Sequence, residues 1–88
     1  MINAKTDANQ KLIVAAFRKM GASVAMLATV GNGIPDLLVG YRGKNYLVEV
    51  KMPGKKLNAL QALWHSEWRG QAVIIDSVNA AIDFMRDL

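Results

Sequence analysis

Leu12, Ile13, Ala16, Phe17 and Met20 recur at three- and four-residue spacing, which predicts a first helix from Ala8 to Met20 with Gly21 as its stop. Ser23 to Val30 alternates around Val24, Met26, Ala28 and Val30 before Gly31-Asn32-Gly33, as a strand running into a turn would. Two short apolar runs follow, Asp36 to Tyr41 and Tyr46 to Lys51, and the intervening Arg42-Gly43-Lys44-Asn45 reads as a hairpin turn. Leu57 to Arg69 is again helical in period, with Leu60, Leu63, Trp64 and Trp68 on one face. Ala72 to Asp76 reads as a short strand, and Ser77 can cap a final helix that buries Val78, Ala81, Ile82, Met85 and Leu88. The predicted architecture is an α/β fold in the order αβββαβα: a small mixed sheet flanked by helices.

Side chains alternate across a strand, so Leu47, Glu49 and Lys51 share one face and Tyr46, Val48 and Val50 the other. With residues 42–45 as the turn, the expected register pairs Tyr41 with Tyr46, Val39 with Val48, Leu38 with Glu49, and Asp36 with Lys51. Asp36, Glu49 and Lys51 then converge on one face. Two adjacent carboxylates repel unless a cation lies between them. A divalent ion held by carboxylates keeps several waters, can polarise a phosphoryl oxygen and can activate an attacking water, with Lys51 orienting that water or stabilising charge on the phosphate. The alternative is an ordinary exposed stripe, with Asp36 as a turn residue after Pro35, and spacing alone does not separate the two.

Composition narrows the chemistry. The 88 residues fit a single domain, 1–88, with a core small enough that self-association is expected. The chain has no cysteine and one histidine, which removes cysteine nucleophiles, Ser-His-Asp triads and the usual zinc sites. Any metal must therefore rest on carboxylates, a preference of Mg²⁺, Mn²⁺ or Ca²⁺. A net charge of +4 favours polyanions. The apolar runs Leu12 to Phe17 and Val24 to Ala28 are far shorter than the ~20 residues of a membrane span. Met1 to Thr6 lack an apolar signal core, so no membrane association and a cytoplasmic location are expected.

With the flanking residues included, the sequence resembles the VRR-NUC family of virus-type replication and repair nucleases, a branch of the PD-(D/E)XK superfamily. The residues that carry the resemblance are Gly33-Ile34-Pro35-Asp36-Leu37-Leu38, Leu47-Val48-Glu49-Val50-Lys51, Pro53-Gly54-Lys55-Lys56-Leu57 and Gln61. The resemblance implies a restriction-endonuclease-like core and a Mg²⁺- or Mn²⁺-dependent nuclease. Asp36 and Glu49 would bind metal, the Val50 carbonyl would complete the shell, Lys51 would assist the attacking water and Gln61 would face the site. The family pattern also carries an acidic or amide residue on the first helix. Its usual Glu position falls near Thr6 or Asp7, and Gln10 matches a nearby glutamine. Asp7-x-x-Gln10 also has the spacing of a capping box, as does Asn58-x-x-Gln61, so both readings stay open for each pair.

A nuclease must hold a phosphate backbone, and Lys55, Lys56, Arg42 and Lys44 are candidate DNA contacts. Lys11 and Arg18 share the polar face of the first helix, where solvated charge explains them equally well. His65 reads as structural or exposed, and Trp64 and Trp68 as core or subunit interface rather than base-stacking groups. The resemblance further implies a homodimer, typical of phage or prophage genomes, that acts as an endonuclease on branched DNA such as four-way (Holliday) junctions. Two symmetric cuts suit a two-fold dimer. Alternatives are a flap-cutting or nicking enzyme of the same fold, a catalytically silent DNA-binding domain, or a plain interaction module.

Overall fold

The computed structural model describes residues 4–88. Ile13, Val14 and Phe17 form the buried stripe of the first helix, α1 (Ala4–Lys19). They pack against the inward side chains of a four-stranded sheet: β1 (Ser23–Met26), β2 (Leu37–Tyr41), β3 (Lys44–Val50) and β4 (Ala72–Ile75). Helix α2 (Ala59–Glu67) connects β3 to β4, and α3 (Val78–Arg86) ends the chain. The strands lie in the order β1-β2-β3-β4; the first three pair antiparallel and β4 runs parallel to β3. Leu37, Val39, Val48, Val50 and Ile75 point from the sheet into the core, where α1 is joined by Ala81 and Met85 of α3. Each large side chain so removed from water contributes about 1.5–3 kcal/mol. The predicted order αβββαβα and the mixed sheet are what the chain forms.

Helix α1 starts four residues earlier than the apolar period predicts. Its first turns are polar, so hydrophobic spacing carries no signal there. The Asp7–Lys11 ion pair, 3.6 Å apart at i and i+4, and an acidic residue in the first turn both favour helix. β1 is shorter than predicted. Gly31, Asn32 and Gly33 all take positive φ, and the segment from Leu27 to Ile34 turns away from the sheet. Gly33 is required there twice over: its φ is +77°, and a Cβ would come within 2.6 Å of the Leu60 carbonyl oxygen of α2.

The hairpin register differs from the one expected. Arg42 and Gly43, at φ 52° and 78°, make a two-residue turn with both central residues at positive φ, so Tyr41 pairs with Lys44, Val39 with Tyr46 and Leu37 with Val48. The guanidinium of Arg42 lies over the Tyr41 ring, 5.0 Å from its centroid, which helps hold this turn without the usual Asn-Gly sequence. The slip is two residues along the partner strand. An even slip leaves every side chain on its expected face.

Helix α2 forms within the predicted span, and of the two expected settings for its apolar face, core or subunit interface, the core is not the one it occupies. Leu60, Leu63 and Trp68 are 54%, 55% and 47% exposed, and no residue of α2 is buried. Helical spacing identified side chains that share a face, but it carries no information on what covers them. Trp64 stacks on Trp68 at 4.9 Å, and Gln61 reaches Glu49, whose side chain leaves the sheet on the face away from α1 and α3. Among the described residues, no helix is long and apolar enough to cross a membrane.

Candidate active site

Continuing the β2–β3 register by one step sets Asp36 opposite Glu49. Both therefore leave the sheet on the face away from the core. Pro35 is fully buried just before Asp36, whose carbonyl accepts from the Leu27 N–H at 2.7 Å. Its carboxylate Oδ2 accepts from the Val50 N–H at 2.9 Å. The N–H and C=O of one strand residue point to the same side of the strand, so the Val50 carbonyl also faces Asp36. Lys51, by contrast, directs its N–H toward β4, donating to the Ile75 carbonyl at 3.1 Å.

These groups open on a cleft of about 410 Å³ lined by Asp36, Glu49, Val50, Lys51, Met52, Lys55, Lys56, Gln61, Thr6 and Gln10. The structure thus brings together both predicted carboxylates, the predicted lysine and the Val50 backbone. Gln61 serves two purposes. With Asn58 it forms a full capping box at the start of α2, and its side-chain Nε2 donates to Glu49 Oε2 at 3.5 Å. One side chain thus makes the cap and also reaches Glu49.

On the first helix the outcome is divided. Gln10 lines the cleft, whereas Asp7 is exposed, points away and pairs with Lys11. Because α1 already runs through Asp7, the predicted Asp7-Gln10 capping box does not form; Asp7 lies within the first turn rather than before it. Thr6, one of the two positions aligned with the family's acidic residue, lines the cleft in its place. Lys55 and Lys56 stand at the cleft, but Arg42 and Lys44 do not. They occupy the far tip of the hairpin, and the five steps of β3 between Lys44 and Glu49 span roughly 17 Å. Arg18 donates to the Val24 carbonyl at 3.2 Å, tying α1 to β1. His65 is half-buried with its Nε2 buried and unpartnered, and burial lowers its pKa. The positions that sequence reasoning missed are Met52 and, outside the cleft wall, Asn9.

Glu49 is the one charged residue buried among those described, at 2% exposure. Burial raises its pKa from 4.5 to about 8, assisted by the neighbouring Asp36 carboxyl, which favours a shared proton and repels a second negative charge; the Lys51 ammonium opposes the shift. Glu49 Oε1 is buried with no hydrogen-bond partner. An orphaned carboxylate oxygen in a dry position is costly, and a cation between Asp36 and Glu49 would remove that cost. The donor set is all oxygen, which suits a hard divalent ion. Among the described residues, no group of three or more His, Cys, Asp or Glu side chains gathers to hold a metal. An ion here would rest on two carboxylates, the Val50 carbonyl and water.

The fold of four-stranded mixed sheet and three helices, in the order αβββαβα, has a counterpart among solved structures. A solved structure described as a VRR_NUC domain superposes on it with a TM-score of 0.80, at 28% sequence identity, over 96% of this chain and 97% of that one. This match, spanning nearly all of both chains, shows that the chain has the VRR_NUC fold and supports a nuclease domain. No family model and no curated protein matches the sequence.

Proposed function

We propose that the protein is a Mg²⁺- or Mn²⁺-dependent endonuclease that hydrolyses phosphodiester bonds of branched DNA, four-way junctions foremost. The observation that carries this reading is the buried Glu49 with an unpartnered oxygen, beside Asp36, at the floor of a cleft edged by Lys51, Lys55 and Lys56. Asp36, Glu49 and the Val50 carbonyl would hold the ion. When bound, such an ion supplies Lewis acidity toward a phosphoryl oxygen. The Lys51 ammonium orients the attacking water and stabilises charge developing on the phosphate. Gln61 orients the Glu49 carboxylate through its amide. Gln10 borders the same cleft from the helix side, where its amide could hydrogen-bond water held by such an ion. Lys55 and Lys56 engage the flanking phosphates, while Arg42 and Lys44 meet DNA beyond the cleft, at the hairpin tip.

A homodimer supplies the two cuts that a junction requires. The exposed apolar side chains Leu60, Leu63 and Trp68 of α2 support self-association, since large apolar groups grouped at a surface favour a protein contact. The test is incubation of the purified protein with labelled four-way junction, flap and linear duplex, in Mg²⁺, Mn²⁺ or chelator. Metal-dependent paired incision of the junction is expected. Cleavage of flaps alone, or single nicks, favours the flap-cutting or nicking alternative; DNA retention without cleavage in every metal favours the catalytically silent domain and contradicts the proposal.

A further inference from the structure

The buried stripe of α1 changes character along its length. Ile13, Val14 and Phe17 are apolar and buried, but one and two turns earlier the same stripe carries Gln10, Asn9 and Thr6, all half-buried. Asparagine is a weaker helix former than leucine by roughly 0.5 kcal/mol, and a side-chain amide turned toward a sheet is costly without partners. Asn9 has two. Its Nδ2 carries two hydrogens, and it donates to the Lys51 carbonyl at 3.1 Å and the Asp76 carbonyl at 3.0 Å.

Both acceptors lie just past the ends of neighbouring parallel strands. The ladder between β3 and β4 closes with the Lys51 N–H on the Ile75 carbonyl. A continued parallel strand would next offer the amide of residue 77 to the Lys51 carbonyl. The chain instead turns at Ser77, which caps α3, and Asn9 supplies the missing donor. Beyond Lys51, Met52 to Lys55 form a turn closed by the Lys55 N–H on the Met52 carbonyl. Lys51 therefore sits at the junction of a strand and a turn, and both of its peptide planes are held: one by Ile75, the other by Asn9. Those two planes set the direction in which its side chain leaves the backbone.

We infer that Asn9 is a positioning residue for Lys51, clamping the end of β3 to the end of β4 so that the ammonium is aimed into the cleft. This role rests on the nuclease reading above. Asn9 itself does not line the cleft, so it acts through Lys51 and not on the substrate.

The test is a double-mutant cycle read by the maximal cleavage rate at saturating DNA and metal. Asn9→Ala, and the similarly shaped Asn9→Leu, which removes the amide without lowering helix propensity, are each combined with Lys51→Ala. In the Lys51 background of the natural chain, either Asn9 substitution is expected to slow cleavage roughly ten- to a hundredfold, with the half-saturating DNA concentration shifted less than about twofold. In the Lys51→Ala background the same substitutions are expected to cost less than about twofold. Carbonyl ¹³C resonances of Lys51 and Asp76 should move in Asn9→Leu while those of β1 stay in place. Equal losses in both backgrounds, or unmoved Lys51 and Asp76 resonances, overturn the positioning role and leave the nuclease reading standing. A natural chain that cleaves no DNA overturns the nuclease reading itself, and the positioning role with it.

Discussion

Glu49→Gln and Lys51→Ala are each expected to reduce metal-dependent DNA cleavage by roughly three orders of magnitude without loss of fold. Glu49→Gln is isosteric, so a side chain that is 2% exposed is replaced with no change of volume, and the neighbouring core of Val48 and Val50 is undisturbed. What it removes is the group's capacity to ionise and hold a cation beside Asp36. Lys51→Ala removes an ammonium from a half-buried position on the face away from the core, so the sheet keeps its packing. Single-turnover rates on the branched substrate, with circular dichroism as the check on folding, measure both effects. Cleavage persisting at the natural rate in both variants rejects the assignment of the site.

The second large effect appears in stability and runs opposite to activity. Native Glu49 keeps its proton up to about pH 8, whereas in the unfolded chain the group ionises near 4.5. Between these values the native state binds more protons than the unfolded state. Its contribution to stability is therefore fully present below pH 4.5 and is lost as pH rises toward 8. Without metal, Glu49→Gln should abolish this slope and leave the variant more stable than the natural chain at pH 8 by roughly 2–4 kcal/mol, a difference that vanishes at pH 4. Denaturant titrations at the two pH values in chelator read it directly. Saturating Mg²⁺ should raise the stability of the natural chain at pH 8 and leave the variant almost unchanged. An unchanged or lower stability of Glu49→Gln at pH 8 contradicts the description of a buried, destabilising carboxylate kept for function.

Much of this architecture was readable before any coordinates, and the residues show why. The period of Ile13, Ala16, Phe17 and Met20 and the alternation of Val48, Glu49 and Val50 report which side chains share a face, because each follows from the geometry of one element; burial is a separate matter, since Leu12 is 60% exposed and Glu49 is buried on the face away from the core. The hairpin register failed by two residues since Arg42-Gly43-Lys44-Asn45 allows turns of two or four residues, and only the positive φ of Arg42 decides between them. The convergence of Asp36 and Glu49 survived because face depends on parity, not on the register itself. Helix α2 forms where its spacing predicts, but what covers it is not legible: amphipathic spacing in Leu60, Leu63 and Trp68 is the same whether a core or open surface lies opposite. Asp7 was set apart from Thr6 only by rotation along a helix whose start the polar first turn concealed. Asn9 was unremarked because its two acceptors are backbone carbonyls 42 and 67 residues away, which no side-chain pattern announces.

Everything functional depends on Asp36 and Glu49 acting on one shared cation. Titration of the purified chain with Mn²⁺, followed by calorimetry at pH 8, tests this without reference to DNA. One ion per chain is expected at the strongest site, with affinity reduced at least about a hundredfold in both Asp36→Asn and Glu49→Gln. Binding that is equally tight in the natural chain and in both variants would place the ion elsewhere and contradict the account.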